Sequence, residues 1–125
     1  MKTKALRILT AFLVIAAITG SALAATGSFS SKSVASLSST TIFSTTLSST
    51  SGTIGITVST NSTGQQISAQ LWKSGTLVDE TVFPNNTLTT GTVSWTGLTS
   101  GTYTVKIANL DDATTKVTGS YYYYN

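Results

Sequence analysis

The sequence predicts an all-β fold, a single antiparallel β-sandwich of about seven strands. Three observations carry that prediction. Residues 25–125 are rich in Ser, Thr and Gly and poor in charge, a composition of strands and turns. Nowhere do apolar residues recur at the three-and-four spacing of an amphipathic helix. Short alternating runs return instead at spacings of about ten residues, with turn residues between them.

The elements follow in order. MKTKALR carries Lys2, Lys4 and Arg7 without an acid, the apolar run ILTAFLVIAAI follows, and TGSALA ends with Ala22 and Ala24. A basic start, a short apolar middle and an A-x-A ending are the parts of a secretory signal peptide. The apolar run is well short of the roughly 20 residues of a membrane-spanning helix. Residues 1–24 therefore read as an export signal of bacterial style, cut after Ala24, with no membrane span left in the mature chain. Residues 25–39 read as a Ser/Thr-rich N-terminal segment able to stay flexible, and residues 40–125 as the sandwich domain. Within TGSFSSKSVASLSSTTIFSTTLSSTS, the recurrent Phe29, Val34, Leu37, Ile42, Phe43 and Leu47 are too bulky for a linker, and a strand is expected around residues 40–47.

GTIGITVST sets Ile54, Ile56 and Val58 against Gly55, Thr57 and Ser59. QISAQLW sets Ile67, Ala69 and Leu71 on one face, TVSWTG offers Val93 and Trp95, and GTYTVKI sets Tyr103, Val105 and Ile107 against Thr102, Thr104 and Lys106. NSTG, KSG, PNN, TSG and NLDD supply turns between them, and KSG reads as a hairpin loop. The last run, TTKVTGSYYYY, puts Tyr121 and Tyr123 on one face and Tyr122 and Tyr124 on the other. One pair is expected on the core and the other on the outer face or sheet edge. Strands of about seven residues with Thr and Ser on the second face do not suit an outer-membrane barrel, which needs about ten and an apolar exterior.

GLTSGTYTVKI, residues 97–107, resembles a turn and penultimate strand of immunoglobulin-like and fibronectin-type-III-like sandwiches, including small domains of bacterial secreted proteins. Leu98, Gly101 and Tyr103 match the pattern of a tyrosine corner, which implies a Tyr103 hydroxyl bonded back to the backbone across the turn. The resemblance thus implies an immunoglobulin-like sandwich, without the inter-sheet cysteine pair of antibody domains, since the chain has no cysteine.

Composition also narrows function. Past residue 24, Lys32, Lys73, Lys106 and Lys116 face Asp79, Glu80, Asp111 and Asp112. A near-neutral chain with four scattered lysines lacks the cation cluster that nucleic acid demands. With no histidine and no cysteine, neither a histidine-based triad nor a thiol nucleophile can be assembled. No enzymatic activity is expected, and no cofactor. Asp79 and Glu80, adjacent on a strand, point to opposite faces. Asn109, Asp111 and Asp112 could offer oxygens to calcium, but a turn closed by Asx hydrogen bonds accounts for them, so no metal site is expected. The aromatics are the remaining lead. Trp72, Tyr122 and Tyr124 are the candidate ligand-binding residues, whereas Trp95, on the face of Val93, belongs to the core. The expected function is non-catalytic: a secreted protein that binds outside the cell or forms part of a surface or matrix. Its partner would be a glycan, as for a carbohydrate-binding module, or another extracellular protein, as for a secreted inhibitor with residues 83–90 as its protruding loop.

Overall fold

In a computed structural model, residues 23–48, 50–84 and 91–125 are described. They form eight strands: β1 (Leu23–Val34), β2 (Ser39–Leu47), β3 (Gly52–Asn61), β4 (Ile67–Lys73), β5 (Thr76–Val82), β6 (Gly91–Leu98), β7 (Gly101–Asn109) and β8 (Thr115–Tyr124). All pairings are antiparallel. One sheet has the order β1-β8-β3-β6 and the other β2-β7-β4-β5. Among β-sandwiches this two-sheet, eight-strand order is that of a jelly roll. Immunoglobulin-like sandwiches keep more of their consecutive strands together as hairpins; here only β4 and β5 are neighbours in one sheet.

The eighth strand comes from the Ser/Thr-rich segment. The strand expected near residues 40–47 is β2, and β1 precedes it through most of residues 25–39. That segment is ordered by pairing with β8, from Ala25 opposite Tyr123 to Val34 opposite Thr115, and it sends Phe29 and Val34 into the core. The signal-peptide reading falls outside the described residues, except for Leu23 and Ala24 at the start of β1. No helix among the described residues is long and apolar enough to cross a membrane.

The core lies between the sheets and takes the apolar face of each alternating run. Ile54, Ile56 and Val58 from β3 meet Ile67, Ala69 and Leu71 from β4, with Tyr103, Val105 and Ile107 from β7. Trp95 and Val93 of β6 are buried among them. Local chemistry fixes the connections. KSG forms the β4–β5 turn with Ser74 at φ 50° and Gly75 at φ 84°, the two left-handed residues of a type I′ hairpin. In the arch between β6 and β7, the Tyr103 hydroxyl donates to the Thr99 carbonyl at 2.7 Å. Lys73 latches the same arch, donating to Thr99 Oγ1 at 2.7 Å and lying 5.4 Å from the Tyr103 ring centroid.

Candidate functional site

Strand register sets out the outward face of β2-β7-β4-β5 as three rows, because cross-strand partners share a face. The first row runs Ser39, Ala108, Ser68, Val82; the second Thr41, Lys106, Gln70, Glu80; the third Ser44, Thr104, Trp72, Leu77. Trp72 thus occupies the middle of an open sheet, half-buried, between a hydroxyl-bearing strand pair and an exposed leucine. A register shift between Leu71 and Trp72 sets Leu77 beside it and leaves Val78 exposed.

These side chains hold one another. Trp72 Nε1 donates to Gln70 Oε1 at 3.0 Å, and Gln70 Nε2 donates to Glu80 Oε2 at 3.1 Å. The Ser68 hydroxyl donates to the same carboxylate oxygen at 2.5 Å. Lys106 Nζ lies over the indole, 4.6 Å from its ring centroid. Ser44 and Thr104 share a hydroxyl–hydroxyl bond of 2.9 Å. A shallow groove of about 350 Å³ continues the face past Gln70, lined by Ser39, Ala108 and Asn109 with Leu37 and Leu110 at its rim. This is an aromatic ring fixed in orientation, ringed by amide, hydroxyl, carboxylate and ammonium groups.

The tyrosines divide as the strand period requires. Tyr121 and Tyr123 lie opposite Ile56 and Ile54 of β3 and face inward. Tyr121 stacks on Phe43 with centroids 3.9 Å apart and planes 8° from parallel. Tyr122 and Tyr124 point from the other face and stack on each other at 6.2 Å, yet they are only 4% and 8% exposed. Of the three candidate ligand-binding residues, Trp72 therefore lies on an open face, while Tyr122 and Tyr124 are buried. The Tyr122 ring lies across Gly55, where a Cβ would overlap it. Burial pushes its hydroxyl up to about 12; a hydrogen bond with Ser94 works against that rise and the neighbouring Tyr124 adds to it.

Asp79 and Asp111 are committed elsewhere. Asp79 points inward, accepting from Trp95 Nε1 at 3.0 Å through Oδ2 and from the Glu80 amide at 2.9 Å through Oδ1, while Glu80 points outward. In the NLDD turn, Asn109 Oδ1 accepts from the Asp111 amide at 3.0 Å, and Asp111 Oδ2 accepts from the Gln66 amide at 2.7 Å. Asn109 Nδ2 donates to the carbonyls of Ala113 and Val34. The turn is a hydrogen-bonded Asx construction. Among the described residues no group of three or more His, Cys, Asp or Glu could hold a metal. Of the loop at residues 83–90, Phe83 is buried, and residues 85–90 lie outside the described residues.

Sequence reading missed the rest of the face. The alternation of ISAQLWK places Gln70 with Trp72, and that of GTYTVKI places Lys106 with Thr104. Nothing local says that β4 and β7 are neighbours, and only that pairing brings Lys106 over Trp72.

No family model matches the chain, and no curated protein does. Among solved structures it is similar to the VP2 subviral particle of infectious bursal disease virus, with TM-score 0.52 and 14% identity, over 80% of this chain and 32% of that one. The chain thus spans about a third of the VP2 length. It is also similar to carbohydrate-binding module CBM36, solved in complex with calcium and xylotriose, with TM-score 0.50 and 14% identity, over 81% of this chain and 91% of that one. At such identities the likeness is one of fold.

Proposed function

We propose that this chain is a non-catalytic, exported binding module, and that its ligand is a polysaccharide taken on the outward face of β2-β7-β4-β5. The observation that carries the proposal is Trp72, held in place by Gln70 on an open sheet and surrounded by hydroxyl, amide and carboxylate groups. An oriented indole offers a flat apolar surface to a sugar ring, and the polar neighbours offer partners to its hydroxyls. The fold likeness to a carbohydrate-binding module supports the reading. In this chain, however, Asn109 Oδ1 and Asp111 Oδ2 of the NLDD turn already accept backbone amides, so binding is assigned to the sheet face and to no calcium ion. Export rests on the signal pattern of residues 1–24.

The test is retention by polysaccharides. The purified protein should be slowed in affinity gels containing xylan, polygalacturonate or another soluble glycan, and Trp72→Ala should abolish the retardation while its far-UV circular dichroism stays unchanged. A protein retarded by none of these glycans removes the proposal.

A second reading, a component of a surface assembly, is favoured by β5. This strand lies at the edge of its sheet and exposes Leu77, Val78 and Val82, and an apolar edge strand invites pairing with another chain. Concentration-dependent sedimentation that Val78→Lys suppresses would favour it.

A further inference from the structure

We infer that the Trp72 face selects an acidic saccharide, a pyranose carrying a carboxylate, and that Lys106 is the residue that reads the charge; this rests on the polysaccharide reading above. The ammonium of Lys106 sits 4.6 Å from the indole centroid, where it covers ring surface that a stacking sugar needs. Its lateral neighbours are Thr41 on β2 and Gln70 on β4, and no carboxylate among the described residues pairs with it. The nearest acid along its row, Glu80, is one strand further on and already accepts from Ser68 and Gln70. Lys73, at the end of β4, is committed to the Tyr103 arch.

Discrimination follows from what each ligand does to this cation. A neutral sugar that stacks on Trp72 must displace an ammonium held by the ring quadrupole, and offers no charge in return. A sugar bearing a carboxylate draws the ammonium off the ring into an ion pair, and the same movement uncovers the indole for stacking. The flexible stem and point charge of lysine suit such a swing better than the planar fork of arginine. Orientation is set as well. Glu80 repels the acidic group, so the carboxylate lies toward β7 and β2, and the sugar's hydroxyl edge lies toward Gln70. On that same side the groove between Ser39 and Asn109 offers about 350 Å³ for the next sugar of the chain.

The experiment compares polygalacturonate with neutral xylan as probes, by affinity electrophoresis at low and high salt. The native protein, Lys106→Met, Lys106→Arg and Trp72→Ala are compared, with melting curves as a fold control. The native protein should prefer polygalacturonate by up to about fivefold, the scale of an exposed ion pair, and the preference should shrink with salt. Lys106→Met should lose the preference while binding xylan as well as the native protein or better, and Lys106→Arg should keep part of it. Equal native affinity for the two probes, or a Lys106→Met variant that still prefers polygalacturonate, overturns the charge reading and leaves the polysaccharide face standing. Native protein that binds neither probe overturns the charge reading, and overturns the polysaccharide face as well when no other soluble glycan retards it; Trp72→Ala that binds both as before overturns both.

Discussion

Two tyrosine hydroxyls show how much a single polar atom can decide. Tyr103 is buried with its hydroxyl donated to the Thr99 carbonyl, closing the arch between β6 and β7. Tyr103→Phe keeps the ring and loses one hydrogen bond, and Thr99 is exposed enough for water to take its carbonyl, so the expected cost is about 1 kcal/mol. Urea unfolding measures it, and an unchanged midpoint would show that the bond contributes nothing net. Tyr122 acts through protons instead. Its hydroxyl is raised from 10.0 to about 12 in the fold, so the unfolded chain releases that proton first. The neutral hydroxyl's contribution is therefore complete below about pH 10 and is lost as pH rises toward 12, a loss of about 2 to 3 kcal/mol. Unfolding free energies between pH 9 and 12 should fall more steeply for the native protein than for Tyr122→Phe. Parallel curves would mean that the hydroxyl ionises as easily folded as unfolded.

At the scale of elements, a strand is legible where its two faces differ in chemistry and obscure where they do not. GTIGITVST and GTYTVKI alternate cleanly, and β3 and β7 lie where they were expected. TGSFSSKSV alternates only in part, because β1 is an edge strand with register shifts between Leu23 and Ala25 and between Phe29 and Lys32. Its order comes from β8, ninety residues away in the chain, and no local pattern announces that. The KSG hairpin, by contrast, is written in three residues. Ser74 holds φ 50°, which serine adopts at a cost and asparagine more easily, so Ser74→Asn should stabilise the protein by about 0.5 kcal/mol, readable in its thermal midpoint. A fall in that midpoint would mean the turn is not of the type I′ kind. Gly119 presents the opposite case. It sits in the middle strand of β1-β8-β3, and a Cβ there would overlap the Thr57 carbonyl oxygen and crowd Phe29. Backbone cannot yield as a side chain can, so Gly119→Ala should cost about 2 kcal/mol or more; a variant as stable as the native protein would show that the sheet opens freely at this point.

For the whole molecule, the decisive contacts join distant parts of the chain, and for that reason the face around Trp72 was only half legible. Trp72 could be singled out from its own run, but Lys106 and Glu80 reach it only through the order β7-β4-β5. Tyr122 and Tyr124 could be placed together on one face of β8, but that this face is the outward one, and that they are buried there, was not legible. The same long-range logic bears on maturation. β8 lies between β1 and β3, so the sheet closes only when both ends of the chain are in place. The ladder with β8 is irregular between Leu23 and Ala25 and regular from Ala25 opposite Tyr123 onward. A cut after Ala24 therefore removes one paired position, Leu23 with Tyr124, and spares the rest. It also removes Lys2, Lys4 and Arg7, leaving lysines and acids in balance. The exported protein should begin at Ala25 by N-terminal sequencing and unfold in one cooperative transition. A chain cut further in, beginning at Ala35, loses all of β1 with its buried Phe29 and Val34 and should show no such transition at room temperature. If the shorter chain unfolds cooperatively with the native midpoint, β1 is an ornament on a seven-stranded sandwich and not a part of its core.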